Sequence, residues 1–418
     1  MLELEASLPN RPYGLLRDTI DQTLHRREPT LSFRIGTRPY AWQRPAGEAL
    51  RDYHRLDLDT MLQRTEHGNR RLFSDLAADV LARRLRSYGY ENIANQGDVI
   101  NSVFGSYPKP KDRVQHIGPN TDWSRVLFVP KRTDECSTDR LREIAETDPL
   151  EAKLGVAWVM QHGSDSGGAD LSGEIGKLPW NNTVKRWWKK ERLPLGILQL
   201  AADNRQKVVM FGMKDVLDLS GGNILVFGSI CQQIWECWIR DLARSKANPI
   251  DSEPKLPIDW KLQNEGILKA SNDWHQKIGE ERWIGDTLLA FLDEMGNWVR
   301  RKLTADKAMS YPGGNGISLA NRDLIGSPDV RRYLSEATGR GFLLRFKHTP
   351  KKRSRGESTK WYLHPILAPY YELTVNHTKE PLYVKAKEVQ HWLERAGVSI
   401  SPSREETQLT LPLEDEEE

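Results

Sequence analysis

Residues 219–235 read L-S-G-G-N-I-L-V-F-G-S-I-C-Q-Q-I-W, and this stretch decides how the rest of the chain is interpreted. Ser220 to Asn223 are small or polar residues of the kind that start helices, and an apolar run at helical spacing follows them. The stretch therefore predicts a turn that opens a long apolar helix. Taken alone, it is explained best as an ordinary helix start with Ser220 or Asn223 as the cap.

The composition limits the class of protein. The 418 residues are enough for two or three domains, and an apolar content of 38% allows packed cores. The sequence has no run of about 18 apolar residues, so we expect no membrane-spanning helix. The N-terminal residues lack a basic region followed by an apolar core, which argues against a signal peptide.

Cysteine and histidine usage gives no sign of a metal or disulfide framework. Cys136, Cys231 and Cys237 have neither pairing nor metal-ligand spacing, and we expect a cytoplasmic protein. The ten histidines form no H-x-x-x-H or H-E-x-x-H motif, so we predict no metal site.

The net charge of +3 is unevenly distributed. Residues 345–360 hold seven Lys or Arg and one acidic residue, whereas residues 405–418 hold seven acidic residues and no Lys or Arg. A basic segment followed by an acidic tail says more about binding partners than the net charge does.

Apolar spacing along the first part of the chain predicts a mixture of helices and one strand. Alternation at residues 31–35 predicts the strand. The predicted helices are 13–26, 72–87, 151–162, 180–190 and 194–203. Residues 92–150 are rich in glycine, proline and charge, and we expect an irregular insertion there. Three prolines in residues 247–262 predict a linker.

Three segments resemble, in the family's order, the origin-recognition-like AAA+ ATPases, in particular the prokaryotic members found as stand-alone ATPases. Residues 31–38 resemble the sensor-1 strand, residues 52–59 the segment after it, and residues 210–238 the helical lid that closes over nucleotide. The resemblance implies that Thr37 or Arg38, at the end of the strand, and Asn223, in the lid, face the nucleotide.

The chain departs from this family at the motifs that carry out ATP hydrolysis. A G-x-x-x-x-G-K-[ST] loop, whose backbone N–H groups hold phosphate, is absent, and none of the predicted strands ends in Asp-Glu. Gly173-Glu-Ile-Gly-Lys-Leu has the wrong glycine spacing and places Leu178 where Ser or Thr is needed. Ile224 and Leu225 stand where the lid arginine is expected.

We therefore predict no ATPase activity and no cofactor for this polypeptide alone. The resemblance implies ATP and Mg²⁺ only if a partner chain supplies the P-loop half. On this interpretation the AAA+ module is N-terminally truncated, or the system is split between two chains.

Residues 283–364 predict a winged helix-turn-helix. A long amphipathic helix at 283–303 precedes Ser327-Pro328-Asp329, a strong helix start for a second helix at 330–338. A strand at 342–348, a basic loop and a strand at 360–364 follow. Helix, strand, basic loop and strand is the order of a winged helix.

The basic residues of this segment are the candidate contacts to duplex DNA. Arg331, Arg332 and Arg340 lie on or beside the predicted recognition helix. The predicted wing and the strand after it carry Lys351, Lys352, Arg353, Arg355 and Lys360. The alternatives are a solvated charged hairpin and a winged helix used for protein contacts.

Several tryptophans invite a functional interpretation. Trp187 and Trp188, within K-R-W-W-K-K, are able to stack on bases, although one tryptophan in the core and a basic solvent face is the simpler interpretation. We predict that four further tryptophans lie in the core, namely Trp283, Trp298, Trp361 and Trp392.

The acidic tail contains one apolar hexamer, Q-L-T-L-P-L at residues 408–413. It resembles the peptide with which proteins bind the bacterial sliding clamp. The resemblance implies that Gln408 is the polar anchor and that Leu409, Leu411 and Leu413 fill an apolar groove. The alternative is a tail that folds back on its own domain.

The predicted fold is mixed α/β and mainly helical, with a partial AAA+ module (sensor-1 strand and helical lid) followed by a winged-helix domain. The predicted parts are residues 1–246 (AAA+ core and lid, with the insertion near 92–150), 247–265 (linker), 266–397 (winged helix) and 398–418 (tail).

The function predicted first is a DNA-binding, AAA+-derived adaptor in replication control or mobile-element defence, with no membrane partner. A working ATPase whose P-loop half is another chain, and a protein-interaction scaffold that binds no DNA, remain open.

Overall fold

The computed structural model describes residues 70–131, 133–163, 171, 173–181, 186–244, 255–311, 315–348, 357–375 and 381–399. The described chain is mainly helical with a small mixed sheet, as predicted. Its first helices are α1 (Arg70–Ser87), α2 (Glu91–Ala94), α3 (Val99–Phe104), α4 (Pro110–Ile117), α5 (Trp123–Val126), α6 (Glu135–Thr147), α7 (Pro149–His162) and α8 (Arg186–Asp203).

The remaining elements alternate more between helix and strand. They are α9 (Met213–Ser220), α10 (Ile224–Arg244), α11 (Trp260–Gly279), α12 (Gly285–Ala305), β1 (Gly316–Ala320), α13 (Asn321–Ile325), α14 (Pro328–Gly339), β2 (Leu343–His348), β3 (Ser358–Leu363), α15 (Ala368–Tyr371), β4 (Leu382–Tyr383) and α16 (Ala386–Arg395). Within the ranges described, no helix is long and apolar enough to cross a membrane.

The prediction that residues 92–150 are irregular is wrong, because this segment folds into a series of short helices. Several of them begin at an aspartate whose carboxylate accepts a hydrogen bond from a backbone N–H in the first turn. Asp98 accepts from the Asn101 N–H at 3.1 Å and Asp134 from that of Ser137 at 2.8 Å. Most of these helices have only four to eight residues and show no clear apolar period, so charge and proline dominate the sequence pattern.

Helix α7 is largely buried. One buried charge cluster connects it to the end of α8 and to the segment after α12. The Lys153 side chain is completely buried and donates to Asp203, at the end of α8, over 2.7 Å. Lys307, which follows α12, donates to the other oxygen of the same carboxylate at 2.8 Å. Buried charges are tolerated when they are paired in this way.

Helices α10 and α11 cross at very close range. A Cβ atom on Gly266 of α11 would lie 2.5 Å from the Cα of Ile234 in α10. The Gln263 side chain, 1% exposed, accepts from the Gly212 N–H at 2.9 Å and donates to the Phe104 carbonyl at 3.0 Å. Helix α11 is thereby fixed to α3 and to the segment before α9.

The part of the predicted linker that the structure describes, residues 255–265, is anchored to the helices around it. Ile258 is 3% exposed, and its N–H donates to the Val103 carbonyl at 2.9 Å. Helix α11 begins within this segment, at Trp260, with Asp259 as its cap. Proline content therefore marks the entry to a helix here and not a solvated spacer.

The sheet has the strand order β2-β3-β1-β4. β3 is antiparallel to both β2 and β1, while β4 runs parallel to β1. The predicted strands at 342–348 and 360–364 are confirmed as β2 and β3, and the helix predicted at 330–338 is confirmed as α14. The strands β1 and β4 were not anticipated.

The core tryptophans are predicted correctly in part. Trp361 and Trp392 are buried, and Trp298 is half-buried against Trp392. Trp283 contradicts the prediction because it lies before the start of α12 and is 81% exposed.

The Trp187–Trp188 pair agrees with the simpler interpretation, in which one tryptophan packs inward and the other faces solvent. Trp188 packs edge-on against Trp158 at 5.1 Å between ring centroids, whereas Trp187 is exposed.

Candidate nucleic-acid interface

Helix α14 carries the exposed arginine pair of the candidate interface. Proline at its first position and Asp329 in its first turn favour helix formation, while the hydroxyl of Ser327 makes no capping bond. Val330, Leu334 and Ala337 lie on the buried face of the helix. This burial fixes which side of α14 is turned to solvent.

Arg331 and Arg332 lie on the solvent side of α14, next to each other in the first turns of the helix. Over the described ranges, neither guanidinium has an ion-pair partner. Two exposed, uncompensated cations on a helix are suited to contact with phosphate groups.

Arg340 has a different environment from the one the sequence suggested. Its guanidinium pairs with Glu281, in the turn before α12, at 2.6 Å and with Glu336 of α14 at 3.1 Å. The side chain is only 13% exposed. Because two carboxylates already compensate its charge, Arg340 fixes the end of α14 and is not a free phosphate ligand.

The β2–β3 hairpin lies next to α14 in the chain and contributes a further cation. Arg345 is exposed in β2, opposite Trp361 of β3. Lys360 is half-buried, with its Nζ atom 5.9 Å from the centre of the Phe346 ring and 5.8 Å from that of Tyr362. Lys351, Lys352, Arg353 and Arg355 lie outside the described residues.

Arg345 was not singled out from the sequence, although it belongs to the basic segment 345–360. The sequence signal for Arg345 is its place in this charge cluster, because alternation from the buried Leu343 puts it on the same face and does not predict its exposure.

The lid-like block forms the predicted turn and long helix, α9–turn–α10. The Asn223 side chain accepts from the N–H groups of Leu225 at 2.9 Å and Val226 at 3.5 Å, which makes it the cap of α10. Its side chain is therefore occupied locally, and the nucleotide-facing role stays a prediction. Thr37 and Arg38 lie outside the described residues.

The backbone conformation of this turn explains why it contains two glycines. Gly221 and Gly222 have φ values of 57° and 81°, which residues with a Cβ atom rarely adopt. A Cβ atom on Gly221 would also lie 2.8 Å from Nε2 of His364, which directly follows β3. The turn therefore packs the lid-like block against the segment that directly follows the hairpin.

The segment 173–178 does not form a phosphate-binding loop. Residues 175–177 form a short 3₁₀ turn after Gly173 and a second one follows at Pro179–Asn181, so the glycine segment does not run directly into an α-helix whose N-terminus could hold a phosphate. The Glu174 and Lys177 side chains pair with each other at 3.2 Å. Among the residues described, no group of His, Cys, Asp and Glu is arranged to hold a metal ion.

Comparison with known proteins shows the family of this chain. The model of the ORC-CDC6-like family matches residues 23–382, and the chain therefore belongs to the ORC-CDC6-like family. The resemblance to origin-recognition-like AAA+ proteins is confirmed by this match. No curated protein and no solved structure matches the chain.

Proposed function

We propose that the protein binds duplex DNA through a winged helix-turn-helix formed by residues 285–363. The elements α12, β1, α13, α14, β2 and β3 follow one another in that order, and β1 closes the sheet by pairing with β3. In this arrangement α14 is the recognition helix and the segment between β2 and β3 is the wing.

The exposed Arg331–Arg332 pair on α14 is the observation that carries this proposal. The opposite face of the helix is buried, so the two guanidinium groups have a fixed side of the molecule from which to meet phosphates. Arg345 adds charge on the neighbouring strand, and the wing residues Lys351, Lys352, Arg353 and Arg355 extend the basic segment. Arginine and lysine contacts of this kind hold phosphate groups without reading the base sequence.

Membership of the ORC-CDC6-like family supports a role in replication control or mobile-element defence. We assign this chain the role of an AAA+-derived adaptor with an incomplete nucleotide switch, because its sequence lacks a P-loop and Asn223 caps a helix. The alternative is an ATPase whose P-loop half, with ATP and Mg²⁺, is in another chain. Saturable ATP binding by this chain alone would contradict the adaptor assignment.

The tail supplies a second proposed contact, with the bacterial sliding clamp. The support is the sequence Q-L-T-L-P-L at residues 408–413, which lies outside the described residues. Gln408 is the polar anchor, and Leu409, Leu411 and Leu413 are the apolar ones. We expect clamp co-purification to be lost on changing Gln408→Ala together with Leu411→Ala, and retention of the clamp would refute this contact.

Fluorescence anisotropy with a labelled 30-base-pair duplex tests the DNA-binding proposal. We expect Arg331→Glu with Arg332→Glu to abolish most binding at low salt, because two cations become two anions. The matched control is Arg83→Glu with Arg84→Glu, which makes the same charge change at two exposed, adjacent arginines of α1. This control leaves the affinity close to that of the wild type.

The salt dependence gives a second readout. Each lost phosphate contact reduces the slope of log K against log salt by about 0.9, so Arg331→Ala with Arg332→Ala reduces it by about 2. Changing Lys351, Lys352, Arg353 and Arg355 to Glu tests the wing separately. Unchanged affinity in both the α14 and wing variants would refute the winged-helix surface as the DNA contact, whereas no binding by the wild type would favour the protein-interaction scaffold.

A further inference from the structure

Helix α16, which leads into the acidic tail, contacts the start of α14. The Gln390 side chain of α16 donates to the Ser327 hydroxyl, directly before α14, at 3.4 Å. Arg332 lies five residues after Ser327, about 8 Å along the axis of α14. Helix α16 ends at Arg395, which is also about 8 Å along its helix from the contact. The tail therefore begins close to the helix that carries the exposed arginine pair.

The arginine pair is without compensating charge on its own helix. Arg331 and Arg332 are exposed, and within the part of the chain that the structure describes neither has an ion-pair partner. Glu336, the acidic residue one turn after Arg332, is turned to Arg340 at 3.1 Å. The face of α14 that carries both guanidinium groups therefore attracts an anionic segment within reach.

The tail supplies such a segment. Five acidic residues follow one another at positions 414–418, and residues 405–418 contain no Lys or Arg. Glu414 lies 15 residues after Ser399, the last residue that the structure describes, and 15 extended residues span about 50 Å. The acidic run is thus able to reach the arginine pair. A guanidinium group donates to carboxylates in the same charge-assisted geometry that it uses for phosphates.

We propose that residues 414–418 dock on the Arg331–Arg332 face of α14 and compete with DNA for it. The competition rests on the DNA-binding function proposed above, whereas the docking itself does not. Because both partners belong to one chain, the acidic run meets the arginines at a high effective concentration, and exposed ion pairs that are weak one by one are sufficient. Duplex DNA has a higher charge density and displaces the run, so the tail lowers the affinity without abolishing it.

The other cations near the tail are less suited to this contact. Arg395 already pairs with Glu294 of α12 at 2.9 Å. Lys385 and Lys387, at the start of α16, are exposed, but each carries an ammonium group, which cannot bind a carboxylate through two parallel N–H bonds as a guanidinium does. These two lysines are the alternative docking site, and the first experiment detects them directly.

Carbodiimide cross-linking, which joins a carboxylate to a lysine amine in contact with it, tests the docking in the full-length chain without DNA. Arg331→Lys with Arg332→Lys supplies the amines and keeps both charges. Trypsin then releases residues 405–418 as one peptide, because the segment follows Arg404 and contains no Lys or Arg. We expect mass spectrometry of the monomer to find this peptide joined to α14 through residues 414–418.

The control and the contrary result of the cross-linking are equally direct. Arg83→Lys with Arg84→Lys makes the same change at two exposed, adjacent arginines of α1, and we expect no cross-link there. Absence of the α14 cross-link, or cross-links of the tail peptide to Lys385 or Lys387 alone, would overturn the docking.

The affinity for the 30-base-pair duplex tests the competition. Changing the four glutamates of residues 414–418 to Gln and Asp415 to Asn removes the negative charge, and we expect binding at low salt to tighten about ten-fold, since several exposed ion pairs no longer oppose it. In the Arg331→Ala, Arg332→Ala background the same change gives a smaller gain. An equal gain in both backgrounds would place the tail on another surface and overturn the proposal.

Two controls separate the contact from a general effect of charge. The first neutralises five exposed acidic residues of α1, α2, α4 and α6, namely Asp75, Glu91, Asp112, Glu135 and Glu146. It changes the net charge by the same amount and shifts the affinity by less than about two-fold, because salt screens distant charges. The second, Gln408→Ala with Leu411→Ala, keeps the acidic run and leaves DNA affinity unchanged. A gain in either control that equals the gain of the tail variant would overturn the competition.

The outcomes separate this contact from the proposed function. If the wild type does not bind the duplex but the α14 cross-link forms, the DNA-binding function fails and the docking stands. If the wild type binds DNA while the cross-link is absent and the tail variant binds equally well, the docking is wrong and the DNA-binding function stands.

Discussion

Replacing Lys153 by methionine tests the effect of a completely buried charge on stability. Burial lowers the pKa of Lys153 from 10.5 to about 8, with a further contribution from Lys307, while Asp203 opposes the shift. Methionine keeps an unbranched chain in the same buried space. Asp203 retains Lys307 as a partner at 2.8 Å, so the substitution leaves no buried carboxylate without a cation.

The difference between 10.5 and about 8 corresponds to about 3 kcal/mol, because the folded state disfavours the charged form of Lys153 by that amount. Below pH 8 the lysine is charged in both the folded and the unfolded chain, and the full cost is present. Between pH 8 and 10.5 the folded chain loses the proton while the unfolded chain still holds it. The free energy of unfolding contributed by this residue therefore rises with pH in that window.

We expect the stability of Lys153→Met relative to the wild type to fall by roughly 2–3 kcal/mol between pH 7 and pH 10. The assay is urea denaturation of both proteins at pH 7, 8, 9 and 10, where taking the difference cancels the titration of other groups. Lys190→Met, an exposed lysine of α8, controls for the loss of a positive charge. A difference between Lys153→Met and the wild type that is the same at pH 7 and pH 10 would refute the buried, neutralised lysine.

Two further substitutions test the packing of the helical part. Gly266→Ala places a Cβ atom 2.5 Å from the Ile234 backbone, and we expect a loss of about 3 kcal/mol in urea denaturation. Gly176→Ala, which has no neighbour within 4 Å, changes stability by less than about 0.5 kcal/mol, and equal effects at both sites would contradict the close crossing. Arg113→Met leaves the buried carboxylate of Asp215 without its cation at 2.9 Å, so we expect a loss of about 3–5 kcal/mol. Adding Asp215→Leu restores much of that loss, and failure of the double variant to recover would show that Arg113 acts mainly through packing.

The sequence alone predicted the elements whose signals are local. Ser327-Pro328-Asp329 marks the start of α14, and alternation of apolar residues marks β2 and β3. The turn before α10 was recognised from its glycines and Asn223, which the structure shows as the cap. A cap, a first-turn proline and a period of two depend on residues within a few positions of each other, so they are readable without a fold.

Residues 92–150 show where local signals fail. Apart from the 13-residue α6, the helices of this segment have four to eight residues and too few apolar positions to display a period, and the composition suggested an irregular segment. These helices persist because neighbouring helices bury residues such as Val103 and Ile117. Tertiary packing supplies the stability that a short helix lacks by itself.

Only the tertiary structure decides which side chains are exposed and which are already paired. Arg332 and Arg340 look equivalent in the sequence, yet Arg340 is paired with Glu281, which lies 59 residues earlier in the chain, and Arg332 is exposed. Trp283 looks like a core residue, yet the tight turn before Gly285 forces it into solvent. The sequence thus indicated the family, the order α14, β2 and β3, and the basic character of residues 345–360. Which cations remain free to meet a partner depends on ion pairs and close contacts between distant segments, and only folding brings those together.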